Sequence, residues 1–338
     1  MNVLVTGGAG FIGSNFVHYL RRERPSWKVT VLDLLTYAGN LKNIAELVEE
    51  GSVRFVKGSI ADKELVDDLF KGTKFNLVFN FAAESHVDRS IHGAQVFVET
   101  NIMGTQILLD AARATGVERF VQISTDEVYG SLGPTGFFVE TTPLNPTSPY
   151  AASKTGADLM VLAAVKTHGL EAVITRCSNN YGPYQFPEKL MPLFITNALE
   201  DKPLPLYGDG LNVRSWIYVE DHCAALLLCG EKGRSGEVYN IGAGADGELP
   251  NIEVTKTILS ILGKSEDLIQ YVADRPAHDR RYAIDYSKIK SELGWEPKIS
   301  FREGVQRTVE WYKNNKEWWQ SVKTGEYLKY YEMNYANR

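Results

Sequence analysis

The run Val5-Thr-Gly-Gly-Ala-Gly-Phe-Ile-Gly-Ser14 constrains the fold more than any other stretch of this chain. A short apolar segment, Val3 to Thr6, leads into it, and a helical segment, Gly13 to Arg22, leads out. Gly7, Gly10 and Gly13 form a G-x-x-G-x-x-G pattern. Glycines there let backbone amides approach a pyrophosphate, which then sits at a helix N-terminus. The same pattern also occurs as a plain tight turn. What adds to it is Asp33, at the end of the next apolar segment, about twenty residues on. A carboxylate there can accept from both ribose hydroxyls of NAD and would repel the 2′-phosphate of NADP.

Beyond the loop, strand-like and helix-like segments alternate. Lys28 to Leu32, Val53 to Val56, Asn76 to Asn80, Arg119 to Ser124 and Ala172 to Arg176 read as further strands. Gly13 to Arg22, Lys63 to Phe70, His92 to Thr115 and Ser148 to Thr167 read as helices, with Gly116 as a stop signal. The pattern predicts an α/β fold: a Rossmann-type doubly wound parallel sheet. After Arg176 proline and glycine become denser, which predicts a smaller, loop-rich α/β unit over the sheet's carboxyl edge. Glu220 to Gly230 and Val238 to Gly242 would return to the first sheet. The expected division is 1–176 with 215–243 as the dinucleotide-binding domain, and 177–214 with 244–338 as the substrate-binding domain.

The bulk properties exclude some classes. The 338 residues are 44% hydrophobic and 23% charged, an ordinary globular profile. A net charge of −6 without a long basic run argues against nucleic-acid or membrane-surface binding, and no apolar run is long enough to cross a bilayer. The three cysteines, Cys177, Cys223 and Cys229, have no metal-ligand spacing and suggest reduced thiols in a cytoplasmic chain. The first strand begins at once, so no signal peptide is expected.

The chemistry-bearing residues follow the fifth predicted strand. Asp126 and Glu127 stand side by side. Two carboxyls sharing a pocket tend to split, one protonated and one ionised. Adjacent residues in a regular strand face opposite ways, so both reach one ligand only from a turn past the strand's end. Tyr150 and Lys154 are four apart on a predicted helix and share a face. A nearby ammonium would favour the phenolate and make the tyrosine a base. The plainer readings are a surface Asp-Glu turn and a solvated helix face. Asn80-Phe-Ala-Ala83 ends the fourth strand in small residues that let backbone pass close to a ligand or simply pack.

Gly7-x-x-Gly10-x-x-Gly13, Asp33, Asn80-Phe-Ala-Ala83, Thr125 and Tyr150-x-x-x-Lys154 together resemble the extended short-chain dehydrogenase/reductase family. The resemblance covers nearly the whole chain. Within that family "STDEVYG", "LTYAGN", "AAESHVDRSI", "RCSNNYGPYQFPEKL", "YGDGLNVRSWIYVEDH" and "DRPAHDRRYAID" are similar to the dTDP-glucose 4,6-dehydratases. Epimerases of the family usually carry small hydroxyl residues where this chain has its acids. The resemblance implies NAD-dependent oxidation at C4 of dTDP-glucose, loss of water across C5 and C6, and return of the hydride to C6. Tyr150, with Lys154, would take the C4 hydroxyl proton, and Thr125 would orient the C4 oxygen. Glu127 would be the base at C5 and Asp126 the acid at C6.

The resemblance also implies the binding residues. Cofactor contacts would come from Gly7, Gly10, Phe11, Ile12, Gly13, Asp33, Leu34, Thr36, Ser59, Ile60, Phe81, Ala82, Ala83, Thr100, Tyr150, Lys154 and Asn180. Substrate contacts would come from Ser85, Thr125, Asn179, Lys189, Leu190, Pro205, Tyr207, Arg214, Asn251, Arg275 and His278, with Pro205 and Tyr207 lining the base. Arg280 and Arg281 read as surface charge, and His86 as a structural hydrogen-bonder. Two departures stand out: Ala277 replaces a glycine usual in the family, and Leu34 stands where a lysine is common. The helices 92–115 and 148–167 would pair across a two-fold axis into a homodimer. Two alternatives stay open, a related nucleotide-sugar epimerase or dehydratase of another sugar nucleotide, and an NAD-binding protein without catalysis.

Overall fold

The computed structural model describes residues 1–274 and 279–323. Twelve strands are found among the described residues: β1 Asn2–Thr6, β2 Lys28–Asp33, β3 Val53–Lys57, β4 Leu77–Asn80, β5 Arg119–Thr125, β6 Ala172–Cys177, β7 Asn179–Tyr181, β8 Leu204–Tyr207, β9 Val213–Tyr218, β10 Val238–Ile241, β11 Glu248–Pro250 and β12 Ile269–Val272. Seven form one sheet in the order β10-β6-β5-β4-β1-β2-β3. Every pairing in it is parallel. The order reverses between β1 and β4, which is where a doubly wound sheet opens a crevice at its carboxyl edge.

Alternation along the strands assigns the two faces. Val3 and Val5 join Phe16, Val17, Leu226 and Ile289 on one side. Leu4 joins Val66, Phe70, Leu108 and Val161 on the other. Helices Phe11–Glu23, Val219–Lys232 and Ser287–Leu293 therefore cover one face, and Lys63–Gly72, Thr105–Thr115 and Pro149–His168 the other. Their ends follow capping chemistry. Ser148 accepts from the Ala151 amide at 3.1 Å ahead of Pro149, and Gly116 closes its helix in the left-handed region at φ 71°. A buried polar ladder crosses the sheet near its carboxyl edge. Thr6 Oγ1 donates to Asn80 Oδ1 at 2.6 Å, and Asn80 Nδ2 donates to Gln122 Oε1 at 2.9 Å.

The remaining strands lie apart from this sheet. β11-β9-β7 and β12-β8 are small separate sheets. Helices Leu190–Leu199, Asn251–Leu262 and Phe301–Asn314 pack with them round a further apolar cluster that includes Phe194, Trp216, Ile258 and Tyr312. Three helices and two small sheets thus make up the smaller α/β unit expected to be loop-rich.

One expected element is broken. In place of a single helix 92–115 there are Val87–His92, Gln95–Phe97, a π-helical stretch Val98–Gly104 and Thr105–Thr115. The wider π turn carries Asn101, whose Nδ2 donates to the Glu84 carbonyl at 3.0 Å and to Ser153 Oγ at 2.8 Å. A tertiary bond satisfied in this way leaves no periodic trace in sequence.

The glycine loop is held by backbone contact. A β-carbon on Gly13 would lie 2.2 Å from the Gly7 carbonyl oxygen, and one on Gly7 would lie 2.7 Å from the Ala82 amide. Gly93 has nothing within 4 Å and extended backbone. Gly13→Ala is expected to cost about 1–3 kcal/mol or more, and Gly93→Ala to stay within about 0.5 kcal/mol. Thermal unfolding of the two variants checks this; equal shifts would contradict the backbone contact.

Candidate active site

A cavity of about 410 Å³ lies over the carboxyl ends of β1, β2, β4, β5 and β6. Its wall includes Gly7, Gly10, Phe11, Ile12, Gly13, Asp33, Leu34, Thr36, Ser59, Ile60, Phe81, Ala82, Ala83, Ser85, Thr100, Thr125, Asp126, Glu127, Tyr150, Lys154, Asn179, Asn180 and Lys189. Sites scattered from Gly7 to Lys189 meet here because every parallel strand ends on the same edge.

At the dinucleotide end, helix Phe11–Glu23 starts at Gly10 with no capping side chain and no acid in its first turn. The amides of a first turn have no intrahelical acceptor, so they stand ready for an anion. Gly10 leaves the most room of the three glycines: a β-carbon on it would meet only the Gly7 oxygen, at 3.3 Å. Asp33 Oδ2 accepts from the Ala9 amide at 2.9 Å, and Oδ1 accepts from the Leu35 amide at 2.8 Å. Leu35 takes a left-handed φ of 58° to make that bond. Each carboxyl oxygen keeps one lone pair, enough for two hydroxyls. Burial raises the Asp33 pKa, and the two amides oppose the rise. This donor and acceptor set fits a dinucleotide.

At the other end, β5 stops at Thr125, and a single 3-10 turn, Asp126–Tyr129, follows. Thr125 Oγ1 accepts from the Glu127 amide at 3.3 Å. The turn thus frees both acids from strand alternation, as one shared ligand requires. Asp126 is 3% exposed. Burial, then the charge of Glu127, push its pKa up to about 8, against the pull of Arg214. Its Oδ2 has no hydrogen-bond partner. Glu127 is half-buried on the same wall. One carboxyl therefore keeps its proton at neutral pH beside a second, more exposed one.

Tyr150 and Lys154 share a face of helix Pro149–His168, both buried on the cavity wall. The electrostatics differ from the sequence reading. Burial, then the charge of Glu127, raise Tyr150 well above its usual value, and Thr125 offsets part of this by hydrogen bonding. Lys154 donates to the Ile123 carbonyl at 2.7 Å, and burial lowers its own pKa. In this arrangement burial works against the phenolate.

Other expected positions lie outside this cavity. Pro205 and Tyr207 are on β8, Arg214 is on β9, and Asn251 opens helix Asn251–Leu262. The turn between β8 and β9 gathers them, since the Gly210 amide donates to Tyr207 O and the Asn251 amide to Asn212 O. Arg214 donates to the Val213 and Asp279 carbonyls and lies 4.5 Å over the Tyr282 ring. Asn251 Oδ1 is buried without a hydrogen-bond partner. Leu190 packs into the cluster of the second unit. Arg275, Ala277 and His278 lie outside the described residues.

Arg280 pairs with Asp209 at the surface, as expected. Arg281 does not: it is buried, bonded to Glu248 and to the carbonyls of Gly133 and Gly136. It straps the loop 133–136 to the second unit, a contact between distant segments that no local pattern carries.

The sequence reading missed Glu84, Gln185, Phe186 and Glu188 on the cavity wall. Glu188 is buried, its Oε1 stands 3.7 Å from His86 Nε2, and burial raises its pKa to about 7. An acid beside Lys189 in a proline-rich loop was the only available signal, and loops have no period from which burial can be read.

The family model described as GDP-mannose 4,6 dehydratase matches residues 4–308. A dTDP-glucose 4,6-dehydratase of Streptomyces niveus is 52% identical, with 96% of each chain covered. The structure of dTDP-glucose 4,6-dehydratase from Bacillus anthracis in complex with NAD is 52% identical, has a TM-score of 0.89, and is covered over 100% of its length by 96% of this chain. The enzyme of the same name from Streptomyces venezuelae, solved with NAD bound, has a TM-score of 0.91 at 52% identity, with 96% of this chain and 100% of that one covered. Matched by the family model over most of its length, and at half identity by several dTDP-glucose 4,6-dehydratases, the chain belongs to the nucleotide-sugar 4,6-dehydratase family, among the dTDP-glucose 4,6-dehydratases.

Proposed function

We propose that this chain removes water from dTDP-glucose to give dTDP-4-keto-6-deoxyglucose, with NAD as its redox cofactor. The observation that carries the reading is the acid pair past β5: a buried carboxyl held at about 8 next to a more exposed one, on the wall that bears Tyr150 and Lys154. Elimination needs one group to deliver a proton and another to remove one. Epimerisation by reversible oxidation at one carbon needs no such pair.

The uncapped first turn and Asp33 suit a dinucleotide, and the relatives from Bacillus anthracis and Streptomyces venezuelae hold NAD. Gly7, Gly10, Phe11, Ile12 and Gly13 would hold its pyrophosphate and Asp33 a ribose, with Leu34, Thr36, Ser59, Ile60, Phe81, Ala82, Ala83, Thr100 and Asn180 around them. When bound, NAD supplies the electron-pair acceptor for oxidation at C4 and the donor for reduction at C6.

The chain's own residues move the protons. Tyr150, once ionised within the loaded site, takes the proton of the C4 hydroxyl, with Thr125 bonded to the C4 oxygen and Lys154 behind. Glu127 removes the C5 proton once C4 is a ketone. Asp126 delivers its proton to the C6 hydroxyl, which leaves as water, and Glu127 returns its proton to C5. The count closes when the C4 proton passes from Tyr150 to Asp126. Ser85, Asn179 and Lys189 would hold the sugar and diphosphate, Arg214 the diphosphate, and Pro205 and Tyr207 the base, with Leu190 and Asn251 beside them. In this division 1–176 with 215–243 serves the dinucleotide, and 177–214 with 244–338 the sugar nucleotide. Two copies would pair through the exposed Val98, Met103 and Leu159 on neighbouring helices. Three buried free thiols fit a reducing, cytoplasmic setting.

Incubated with dTDP-glucose, the protein is expected to yield a product lighter by one water, and UDP-glucose to remain unchanged, as read by mass spectrometry. The Asp126→Asn, Glu127→Gln double variant should lower the rate by about 10²–10⁴-fold or more. Unchanged mass with both sugars, in protein that holds NAD, would remove the dehydratase reading.

Asp126 has a second, pH-dependent consequence. Unfolded, it releases its proton near pH 4; folded, it keeps it to about pH 8. The native state binds the extra proton, so this group's contribution makes stability fall as pH rises across that window. Asp126→Asn should therefore match the parent's melting temperature near pH 4 and exceed it near pH 8. A gap that does not widen with pH would contradict a protonated Asp126. Separately, Leu159→Asp should sediment as a monomer where the parent sediments as a dimer; a dimer in both would move the interface elsewhere.

A further inference from the structure

The two halves of the proposed chemistry ride on different elements. Tyr150 and Lys154 belong to helix Pro149–His168, and the acids belong to the turn Asp126–Tyr129. One buried guanidinium bonds to both. Arg176, in β6, donates from Nε to Asp158 Oδ2 at 2.9 Å and from Nη1 to the Tyr129 hydroxyl at 3.0 Å. Asp158 is fully buried one turn beyond Lys154 on the same helix. Tyr129 closes the turn that Asp126 opens. Its hydroxyl donates in turn to Asn240 Oδ1 on β10 at 2.8 Å, and its ring stacks on Phe138 with centroids 5.1 Å apart. Neither Arg176, Asp158 nor Tyr129 lines the cavity that holds Tyr150, Lys154 and the acids.

We propose that Arg176 is a positioning residue, fixing the acid-pair turn against the Tyr150–Lys154 helix so that oxidation at C4 and elimination across C5 and C6 act on one bound sugar without its moving. The inference rests on the dehydratase reading. Stability alone explains the arrangement poorly. Withdrawing an ion pair from water costs about what its attraction returns, and apolar side chains of equal volume often serve as well. What a guanidinium adds is direction, since its planar fork sets two donors at a fixed angle. Direction matters in a site that must serve two carbons in succession, because a misplacement of about 1 Å can cost a factor of about 10² in rate. The bond to Asp158 also places a negative charge near Lys154, where it opposes the fall in the ammonium's pKa on burial.

Two mild variants separate the arms of the fork. Tyr129→Phe keeps the ring, with the guanidinium 4.9 Å over it, and removes the directed hydrogen bonds to Arg176 and Asn240; Asp158→Asn keeps those bonds and weakens the one to the helix. Single-turnover reaction with dTDP-glucose reads both steps: nicotinamide absorbance follows oxidation, and the mass of rapidly quenched sugar nucleotide follows loss of water. Tyr129→Phe is expected to leave oxidation within about 3-fold and slow elimination by about 10-fold or more, so that reduced cofactor accumulates. Asp158→Asn is expected to slow oxidation the more. Thermal unfolding confirms that each variant is folded under the assay. If both variants lower the two rates in equal proportion, or neither changes their ratio, the positioning role is wrong. If the parent itself yields no dehydrated product, the dehydratase reading has failed instead.

Discussion

Parallel pairing of seven strands is the constraint on which the rest depends. Parallel strands all end on one edge, so whatever follows each strand is delivered to the same place. Here that edge receives the glycine loop after β1, Asp33 at the end of β2, the small residues after β4, the acid turn after β5, and Ser178 and Asn179 after β6. The reversal between β1 and β4 opens the crevice, and backbone packed on backbone at Gly7 and Gly13 closes its floor. Long-range contact of this kind is why residues far apart in the chain can share one cavity of about 410 Å³.

Burial then sets the chemistry, and it acts on each group by the sign of that group's charged form. It raises Asp126 and Tyr150 and lowers Lys154. For Asp126 the shift is useful, since an acid at about 8 still holds its proton in neutral solution. For Tyr150 the same desolvation works against a phenolate. The fold thus supplies a ready acid, while the base at C4 must be made within the loaded site. Arg176 and Asp158, both buried, show the other way of burying charge: each is the other's partner at 2.9 Å.

Much of this was legible in the sequence, and the reason differs by region. In the first half, apolar runs of strand length alternate with capped helices, and the strands of the main sheet are found within one or two residues of where the runs place them. The acids had to leave the strand to share a ligand, and they do so at Thr125. In the second half, three helices lie where denser prolines and glycines pointed to a loop-rich unit. The interrupted helix at Val98–Gly104 answers to Asn101 and its partners Glu84 and Ser153, which no window of neighbouring residues contains. Arg281 looked like surface charge because its partners Glu248, Gly133 and Gly136 are distant in sequence.

By itself the sequence determined the alternation of strand and helix, the glycine turn with its acid about twenty residues on, the tyrosine and lysine on one helical face, and the paired carboxyls. These rest on local rules: side-chain period, backbone freedom at glycine, and spacing along a helix. Only the tertiary structure decided which carboxyl is desolvated, that the Lys154 ammonium turns to the Ile123 carbonyl, that Glu188 of the cavity wall faces His86, and that one guanidinium ties two elements together. Desolvation and charge pairing depend on what surrounds a group in space, and those surroundings come from segments that meet only once the sheet has formed.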